Sequence, residues 1–308
     1  MAEAAAVATR AGGEPPWVPC EDAFSCEGTS FVLQPLAATP VRRPPSPADP
    51  PACIALGVAT RSREGQAVED LPLATIHLPS LLRTVDGDAN RSRFEYRVLV
   101  GADDDDPVLS DPAAAARLSA LASALVGERR VRLELHLLSG TRGAPCWVWN
   151  WLFKRACETG CDYFFQLNDD IELATPGWAH RFVGALRDNA FVSDFGITGP
   201  LDTNNPKLMT QSFVHCTHLK IFGTYYPSQF TNWYSDDWAT QVYGEANTFW
   251  QQDVEVAHRL AFQGPRYEVA FKDGDKLQGA VQVGRDMVRS YLARAHPGKA
   301  EGMRWELP

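Results

Sequence analysis

The chain has 308 residues, of which 45% are apolar and 10% aromatic, so it can bury a large core and is not a globally disordered protein. Its net charge of −9 at pH 7 argues against a broad surface for nucleic acid or anionic membranes, and we expect no nucleic-acid partner. No apolar run approaches the roughly 18 residues of a membrane-spanning helix, so we also expect no transmembrane segment.

The cysteines and the N-terminus bear on the cellular compartment. The N-terminus lacks the basic start and apolar stretch of a secretory signal. The seven cysteines are odd in number, and their spacing matches no zinc-binding pattern. We therefore predict reduced, mostly buried thiols in a cytoplasmic protein.

Composition divides the chain into three parts. Residues 1–51 are rich in Ala, Pro, Gly and Ser, which is typical of a disordered leader. Residues 52–280 are expected to form one domain, and residues 281–308 a terminal helix and tail to which we assign no chemistry.

Within the domain, predicted strands and helices alternate. Apolar runs predict strands over residues 53–60, 96–102, 131–138, 162–167 and 195–200. Helical patterns lie between them over residues 78–85, 112–126, 146–159 and 177–189. Asp111-Pro112 and Thr175-Pro176 have the signature of an N-cap and first helical residue. This alternation predicts an α/β fold with a mostly parallel sheet flanked by helices, in which ligands bind at the carboxyl ends of the strands.

Charged and polar residues follow three of these strands. Thr60 to Arg63 follow the first strand, Asp103 to Asp106 the second, and Asn168-Asp169-Asp170 the fourth. Because the carboxyl ends of parallel strands share one edge, three such clusters favour a binding site there over three unrelated solvated loops. Adjacent carboxylates on a strand end are ligands that suit Mg²⁺ or Mn²⁺.

This order of elements, with "ATRSR" after the first strand and "WNWLFKRACETGCDYFFQLNDDIEL" around the fourth, resembles the nucleotide-binding half of GT-A-fold glycosyltransferases of the family-2-like group. The resemblance covers roughly residues 53–260. It places Asn168-Asp169-Asp170 at the DxD motif of that family, with Asn in place of the first Asp. It implies that Asp170, with Asp169, holds Mn²⁺ or Mg²⁺ and that His258 completes the metal shell.

The resemblance further implies a Rossmann-like half over residues 52–173 that binds a nucleotide diphosphate-sugar donor, and an acceptor half over residues 174–280. Arg266 is a candidate for closing over the phosphates. The residues expected on the donor side are Thr60, Arg61, Arg63, Asp103, Asp104, Asn150, Asn168 and Asp169.

A second acidic motif, "NWYSDDWATQVYG", lies some 67 residues after Asp170. In inverting members of the family such an acid is the general base that deprotonates the acceptor hydroxyl, and we assign this role to Asp237 first and Asp236 second. A helix N-cap would also produce this pattern, and the two interpretations are compatible. The residues expected to contact a carbohydrate or glycoconjugate acceptor are Asp202, His215, His218, Trp233, Tyr234 and Trp238.

The sequence thus predicts a metal-dependent glycosyltransferase, with inversion expected. Two alternatives stay open. A sugar-nucleotide pyrophosphorylase would need a Gly-rich loop after the first strand, where this chain has "ATRSREGQ". A non-catalytic relative that binds a sugar or nucleotide is compatible with Asn168. Because many eukaryotic relatives act in the Golgi, a Golgi-lumen location also stays open.

Overall fold

The computed structural model describes residues 51–259 and 271–305, so most of the predicted leader, and Arg266, lie outside the described residues. The strands are β1 (Ala52–Ala59), β2 (Phe94–Asp103), β3 (Val131–Leu138), β4 (Tyr163–Asn168), β5 (Ile171–Leu173), β6 (Ile197–Asp202), β7 (Phe213–His215) and β8 (Thr248–His258). The helices are α1 (Leu78–Asp86), α2 (Pro112–Val126), α3 (Pro145–Glu158), α4 (Trp178–Arg187), α5 (Thr217–Phe222), α6 (Ser235–Val242) and α7 (Leu277–Ala295).

All eight strands form one sheet in the order β3-β2-β1-β4-β7-β6-β8-β5. Strands β3, β2, β1 and β4 pair in parallel. Strand β7 is antiparallel to both β4 and β6, β6 is parallel to β8, and β5 is antiparallel to β8. The prediction of a mostly parallel α/β sheet flanked by helices is confirmed. The carboxyl ends of β1, β2, β3, β4, β6 and β8 consequently lie at one edge of the sheet.

Helices cover both faces of this sheet, as the continuous apolar runs require. One face packs against α1, α2 and α4, and the other against α3, α5, α6 and α7. Helix α7 runs without a break across the predicted boundary between residues 280 and 281, and its apolar side joins the core. No helix among the described residues is long and apolar enough to cross a membrane.

The sequence located the five predicted strands to within two residues at each end. Of the other three strands, β5 and β7 are only three residues long and were not predicted, and β8 was indicated only by the alternation of Val254, Val256 and His258. The predicted cap at Asp111 is confirmed, since its carboxylate accepts a hydrogen bond from the Ala113 amide at 3.0 Å. The predicted cap at Thr175 is wrong, because α4 begins only at Trp178 and the Thr175 hydroxyl instead accepts from the Glu255 amide on β8 at 2.9 Å.

Within the described residues, four cysteines form two disulfides, which corrects the expectation of reduced thiols. Cys53 is bonded to Cys161, and Cys157 to Cys216, and Cys146 is buried. The partners are 108 and 59 residues apart, so sequence spacing could not pair them. Both bonds lie at the amino end of β4, opposite to the edge at which the predicted binding residues cluster.

We expect both disulfides in the purified protein. Trypsin without reduction should release residues 43–61, 156–181 and 208–220 as one covalent assembly, because Cys157 and Cys161 lie on the same tryptic peptide. Further cleavage after Glu158 should separate the Cys53–Cys161 pair from the Cys157–Cys216 pair. Mass spectrometry before and after reduction checks both steps, and free, alkylated peptides without reduction would contradict the pairing.

Candidate active site

The two adjacent carboxylates after β4 contact different partners. Asp169 is fully buried and accepts a hydrogen bond from the Thr60 hydroxyl at 2.5 Å, which joins the ends of β4 and β1. Asp170 is only 5% exposed, and its Oδ1 lies 3.2 Å from Nε2 of His258 at the end of β8. The two carboxylates of this turn therefore contact different strand ends: Asp169 contacts the end of β1, and Asp170 contacts the end of β8.

His258 lies between two carboxylates. Its Nε2 contacts Asp170, its Nδ1 lies 3.7 Å from Oδ2 of Asp202, and the Asn168 amide nitrogen is 3.1 Å from Nε2. Burial alone would lower the pKa of His258, but the hydrogen bond to Asp170 and the negative charges of Asp170 and Asp202 outweigh burial and raise the pKa to about 9. The two carboxylates therefore favour the protonated imidazole, and Nε2 has to lose its proton before it can bind a metal ion.

Backbone pairing brings these residues together. In the antiparallel pair of β5 and β8, His258 lies opposite Ile171, and the Arg259 amide donates to the Asp170 carbonyl at 3.0 Å. The side chain of Asn204 accepts a hydrogen bond from the His258 amide at 2.8 Å. The distance between Asp170 and His258 is thus set by strand register and not by flexible side chains alone.

Asp202, at the end of β6, is held in place by its own hydrogen bonds. Its carboxylate accepts from the Thr210 hydroxyl at 2.8 Å and from the Asn204 amide at 2.9 Å. Burial raises the pKa of Asp202, but the interaction with His258 and the hydrogen bonds from the Asn204 amide and the Thr210 hydroxyl outweigh this effect, and the pKa is lowered. Asp202 was predicted to contact the acceptor, and the structure places it beside His258.

Helix α3 positions the end of β4 from one face of the sheet. The indole of Trp149 donates to the Leu167 carbonyl at 3.0 Å. The buried Asn150 amide donates to the Tyr226 carbonyl at 3.0 Å and accepts from the Tyr226 amide at 2.7 Å. Asn150, predicted on the donor side, thus binds the backbone of Tyr226 in this structure.

The second acidic motif forms the first turn of α6. Burial raises the pKa of Asp236 to about 8, and the charges of Asp237 and Asp202 add to the rise, whereas His258 and a hydrogen bond from the Tyr226 hydroxyl oppose it. Burial also raises the pKa of Asp237, but neither His258 nor Asp202 influences it. Asp236, the second choice from the sequence, is therefore the acid that is coupled to Asp202 and His258.

A second polar group lies at the ends of β1 and β2. The Arg61 guanidinium donates to Asp103 at 2.9 Å and to Asp105 at 2.5 Å. Asp103 is buried and also accepts from the Thr141 hydroxyl at 2.7 Å. The predicted donor residues Arg63 and Asp104 are exposed at the same edge. The hydrogen bond between Thr60 and Asp169 connects this group to the acidic cluster.

Three of the predicted acceptor residues lie away from the acids. His215 pairs with Tyr163, the first residue of β4, and is therefore at the opposite end of the sheet. His218 is buried, contacts the Tyr225 carbonyl and the Tyr243 hydroxyl, and has its pKa lowered by burial to about 3. The Trp238 indole, 1% exposed, donates to the Ala280 carbonyl in the core.

Two aromatic residues of the predicted set adjoin α6 at its start. Trp233 is 45% exposed, which distinguishes it from almost all other large apolar side chains in the described residues. Tyr234, directly before α6, has a left-handed backbone with φ of 67°. The exposed Trp233 ring therefore lies three residues before the half-buried Asp236.

The donor atoms of the cluster suit a divalent cation. Within the described ranges no group of three or more His, Cys, Asp or Glu side chains forms a complete metal site. Asp170 and His258, however, place a carboxylate oxygen and an imidazole nitrogen 3.2 Å apart. Mg²⁺ and comparable ions often take only one or two protein ligands and complete their shells with phosphate oxygens and water. The residues present thus fit a cation that is bound together with a phosphate ligand.

Comparisons with known proteins give similarities of fold only. No protein-family model and no curated protein matches the chain. A nucleotide-diphospho-sugar transferase structure from Desulfovibrio desulfuricans G20 is 9% identical, with coverage of 83% of this chain and 99% of that one and a TM-score of 0.41. A cytidylyltransferase from Leptospira borgpetersenii is 10% identical, with coverage of 83% and 97% and a TM-score of 0.36.

A third structure, CMP:2-keto-3-deoxy-manno-octonic acid synthetase with CTP, is 15% identical and has a TM-score of 0.29. The similar region covers 48% of this chain and 52% of that one. At identities and TM-scores this low, the similarities do not identify a reaction. Function has to be argued from the residues of the site.

The contact between Asp170 and His258 should have a measurable effect on the pKa of His258. Asp170→Asn removes one of the two carboxylates that raise the pKa of His258, so we expect that pKa to fall by about one unit or more. NMR titration of the imidazole C–H signals measures it, with His258→Gln for assignment. An unchanged pKa in Asp170→Asn would contradict the contact between the two side chains.

Proposed function

We propose that this protein is a metal-dependent glycosyltransferase that moves a sugar from a nucleotide diphosphate-sugar to a hydroxyl of a carbohydrate or glycoconjugate acceptor. The observation that carries the proposal is the gathering of Asp170, His258, Asp202 and Asp236 around the carboxyl edge of a mostly parallel sheet. That edge is where α/β sheets of this kind bind their ligands.

On the donor side, Asp170 and His258 would hold Mn²⁺ or Mg²⁺, which would neutralise the charge of the diphosphate leaving group. Asp169 keeps the end of β4 fixed to Thr60 on β1, and Trp149 holds the Leu167 carbonyl from α3. These contacts support the proposal because a ligand set of two protein groups needs rigid strand ends to hold its geometry. Arg61, fixed by Asp103 and Asp105, lies at the neighbouring strand end, on the proposed nucleotide side of the site.

On the acceptor side, Asp236 is suited to be the general base. Its raised pKa makes the carboxylate basic enough to take the proton of a hydroxyl group. In a single displacement, the acceptor O–H bond breaks towards Asp236 and the acceptor oxygen bonds to the anomeric carbon. The bond between that carbon and the diphosphate oxygen breaks, which inverts the configuration.

The exposed Trp233 ring supports a carbohydrate as acceptor. Sugars present apolar C–H faces that stack on aromatic rings, and their hydroxyls need acceptors such as carboxylates. Trp233 and Asp236 lie in one short segment and provide both kinds of contact. We therefore propose that the acceptor approaches between the start of α6 and the end of β8.

The two disulfides favour an oxidising compartment for this reaction, since structural disulfides persist mainly in secretory and extracellular spaces. Of the two locations that the sequence left open, we therefore propose the Golgi lumen or a comparable compartment in place of the cytoplasm.

Metal-dependent nucleotide binding is the first test. Calorimetric titration of Mn²⁺ into the protein with UDP, and then with GDP, should show binding that Asp170→Ala weakens by at least ~10-fold. Asp253→Ala is the matched control, because Asp253 is an exposed acid on β8 that pairs with Arg181 away from the cluster.

Equal binding by Asp170→Ala and the wild type would contradict the metal assignment. Release of pyrophosphate from a nucleoside triphosphate in the presence of a sugar phosphate or sugar acid would instead identify a nucleotidyltransferase. Nucleotide binding without hydrolysis or transfer of any sugar nucleotide would identify a non-catalytic relative.

The base assignment predicts a pH profile. With a donor from the UDP- or GDP-sugar screen, kcat/KM should rise with pH and level off above about pH 8, because Asp236 must lose its proton to act. Tyr226→Phe removes a hydrogen bond that lowers the pKa of Asp236, so its profile should shift to higher pH. Asp236→Asn should lose ~100-fold or more in kcat/KM at every pH.

Asp237→Asn is the control for this assignment. It removes a neighbouring charge that raises the pKa of Asp236, so its profile should shift to lower pH while the maximal rate is largely kept. A larger loss of rate in Asp237→Asn than in Asp236→Asn would show that the two roles are exchanged.

A further inference from the structure

Strand β5, which follows the acidic turn, lies at the end of the sheet, and among the described strands it pairs only with β8. The Asp170 carbonyl and the Ala174 amide are directed towards β8, where they bond to Arg259 and Glu255. Because the backbone N–H and C=O groups alternate in direction along a strand, those of Ile171 and Leu173 point away from β8, towards the open edge of the sheet. Such groups need other partners when they are buried.

Two side chains from the segment before and within α1 supply these partners. The imidazole of His77 donates from Nδ1 to the Ile171 carbonyl at 3.1 Å. The Ser80 hydroxyl accepts from the Leu173 amide at 3.0 Å and donates to the His77 carbonyl at 2.8 Å. The contact at Ile171 is one residue away from Asp170, whereas the contact at Leu173 is three residues away.

Hydrogen bonding to the open edge of β5, which we call edge capping, does not explain all the properties of His77. It is fully buried, and its Nε2 has no hydrogen-bond partner within the part of the chain that the structure describes. A buried acceptor without a partner costs free energy, so stability alone would favour an apolar side chain there. His77 also ends a π-helical turn, Leu73–His77, and such turns occur frequently at functional sites.

We infer that His77 is a positioning residue for the metal-binding turn: by holding the Ile171 carbonyl from α1, it keeps Asp170 at the distance from His258 that a shared cation requires. The inference rests on the proposed function, in which Asp170 and His258 share that cation. Ser80 caps the same edge further along β5, at Leu173, and we assign it a purely structural role.

The variants His77→Leu, His77→Asn and Ser80→Ala separate positioning from edge capping. Leu removes the donor, Asn keeps an N–H close to the place of Nδ1, and Ser80→Ala removes the other edge contact. We expect His77→Leu to weaken Mn²⁺ binding in the presence of UDP by ~10-fold or more, as loss of supporting contacts does at other metal sites. His77→Asn should recover most of that loss, and Ser80→Ala should stay within about twofold of the wild type.

Hydrogen exchange in the metal-free protein provides a second readout, which does not depend on the proposed function. His77→Leu should accelerate amide exchange over residues 169–173 and leave β1 and β2 unchanged, and His77→Asn should restore protection. If His77→Leu does not fold, His77→Gln replaces it, because its amide reaches the place of Nε2 and not that of Nδ1.

The outcomes distinguish the two claims. If the wild type binds no Mn²⁺ with any nucleotide, the proposed function fails, and the exchange data alone decide whether His77 holds the turn. If the wild type binds Mn²⁺ but His77→Leu binds equally well, or Ser80→Ala weakens binding as strongly, the inference about His77 is overturned while the proposed function stands. Unchanged exchange in His77→Leu also overturns it.

Discussion

The burial of several carboxylates at one edge of the sheet is the constraint on which the rest of the site depends. A charged carboxylate out of water is costly unless hydrogen bonds or opposite charges compensate it. Asp169 is compensated by Thr60, Asp202 by Thr210 and the Asn204 amide, and Asp170 by His258. The contacts of Asp169 with Thr60 and of Asp170 with His258 join residues at the ends of different strands, so compensating these charges also fixes the strand ends relative to each other.

The supporting contacts reach the cluster from both faces of the sheet. Helix α3 contacts the Leu167 carbonyl and the backbone of Tyr226, while His77 contacts the Ile171 carbonyl from the side of α1. The segment from Leu167 to Ile171 is therefore held at both ends by buried side chains. A turn supported in this way can present two adjacent carboxylates to different partners without large side-chain rearrangement, which lowers the ordering cost of binding a cation.

The sequence predicted those features of the fold that depend on short runs of residues, such as the long strands. Apolar runs identified the long strands, and the acids after β4 identified the edge that carries the candidate site. Contacts between distant segments could not be predicted. The spacing of His215 and His218 gave no sign that β7 would place His215 at the opposite end of the sheet and that α5 would place His218 in the core. The sequence could not show that Asp236, and not Asp237, is coupled to Tyr226, because Tyr226 lies in a separate loop.

The Asn at position 168, which departs from the DxD pattern, has a physical explanation in this arrangement. The Asn168 amide nitrogen lies 3.1 Å from Nε2 of His258, the same nitrogen that contacts Asp170. An aspartate at position 168 would add a further carboxylate to a cluster that already contains Asp170, Asp202 and Asp236. Repulsion among like charges at short range in a partly buried site would then raise their pKa values and weaken the ionised form that a cation needs. A neutral amide at this position lies beside His258 and limits the negative charge of the cluster.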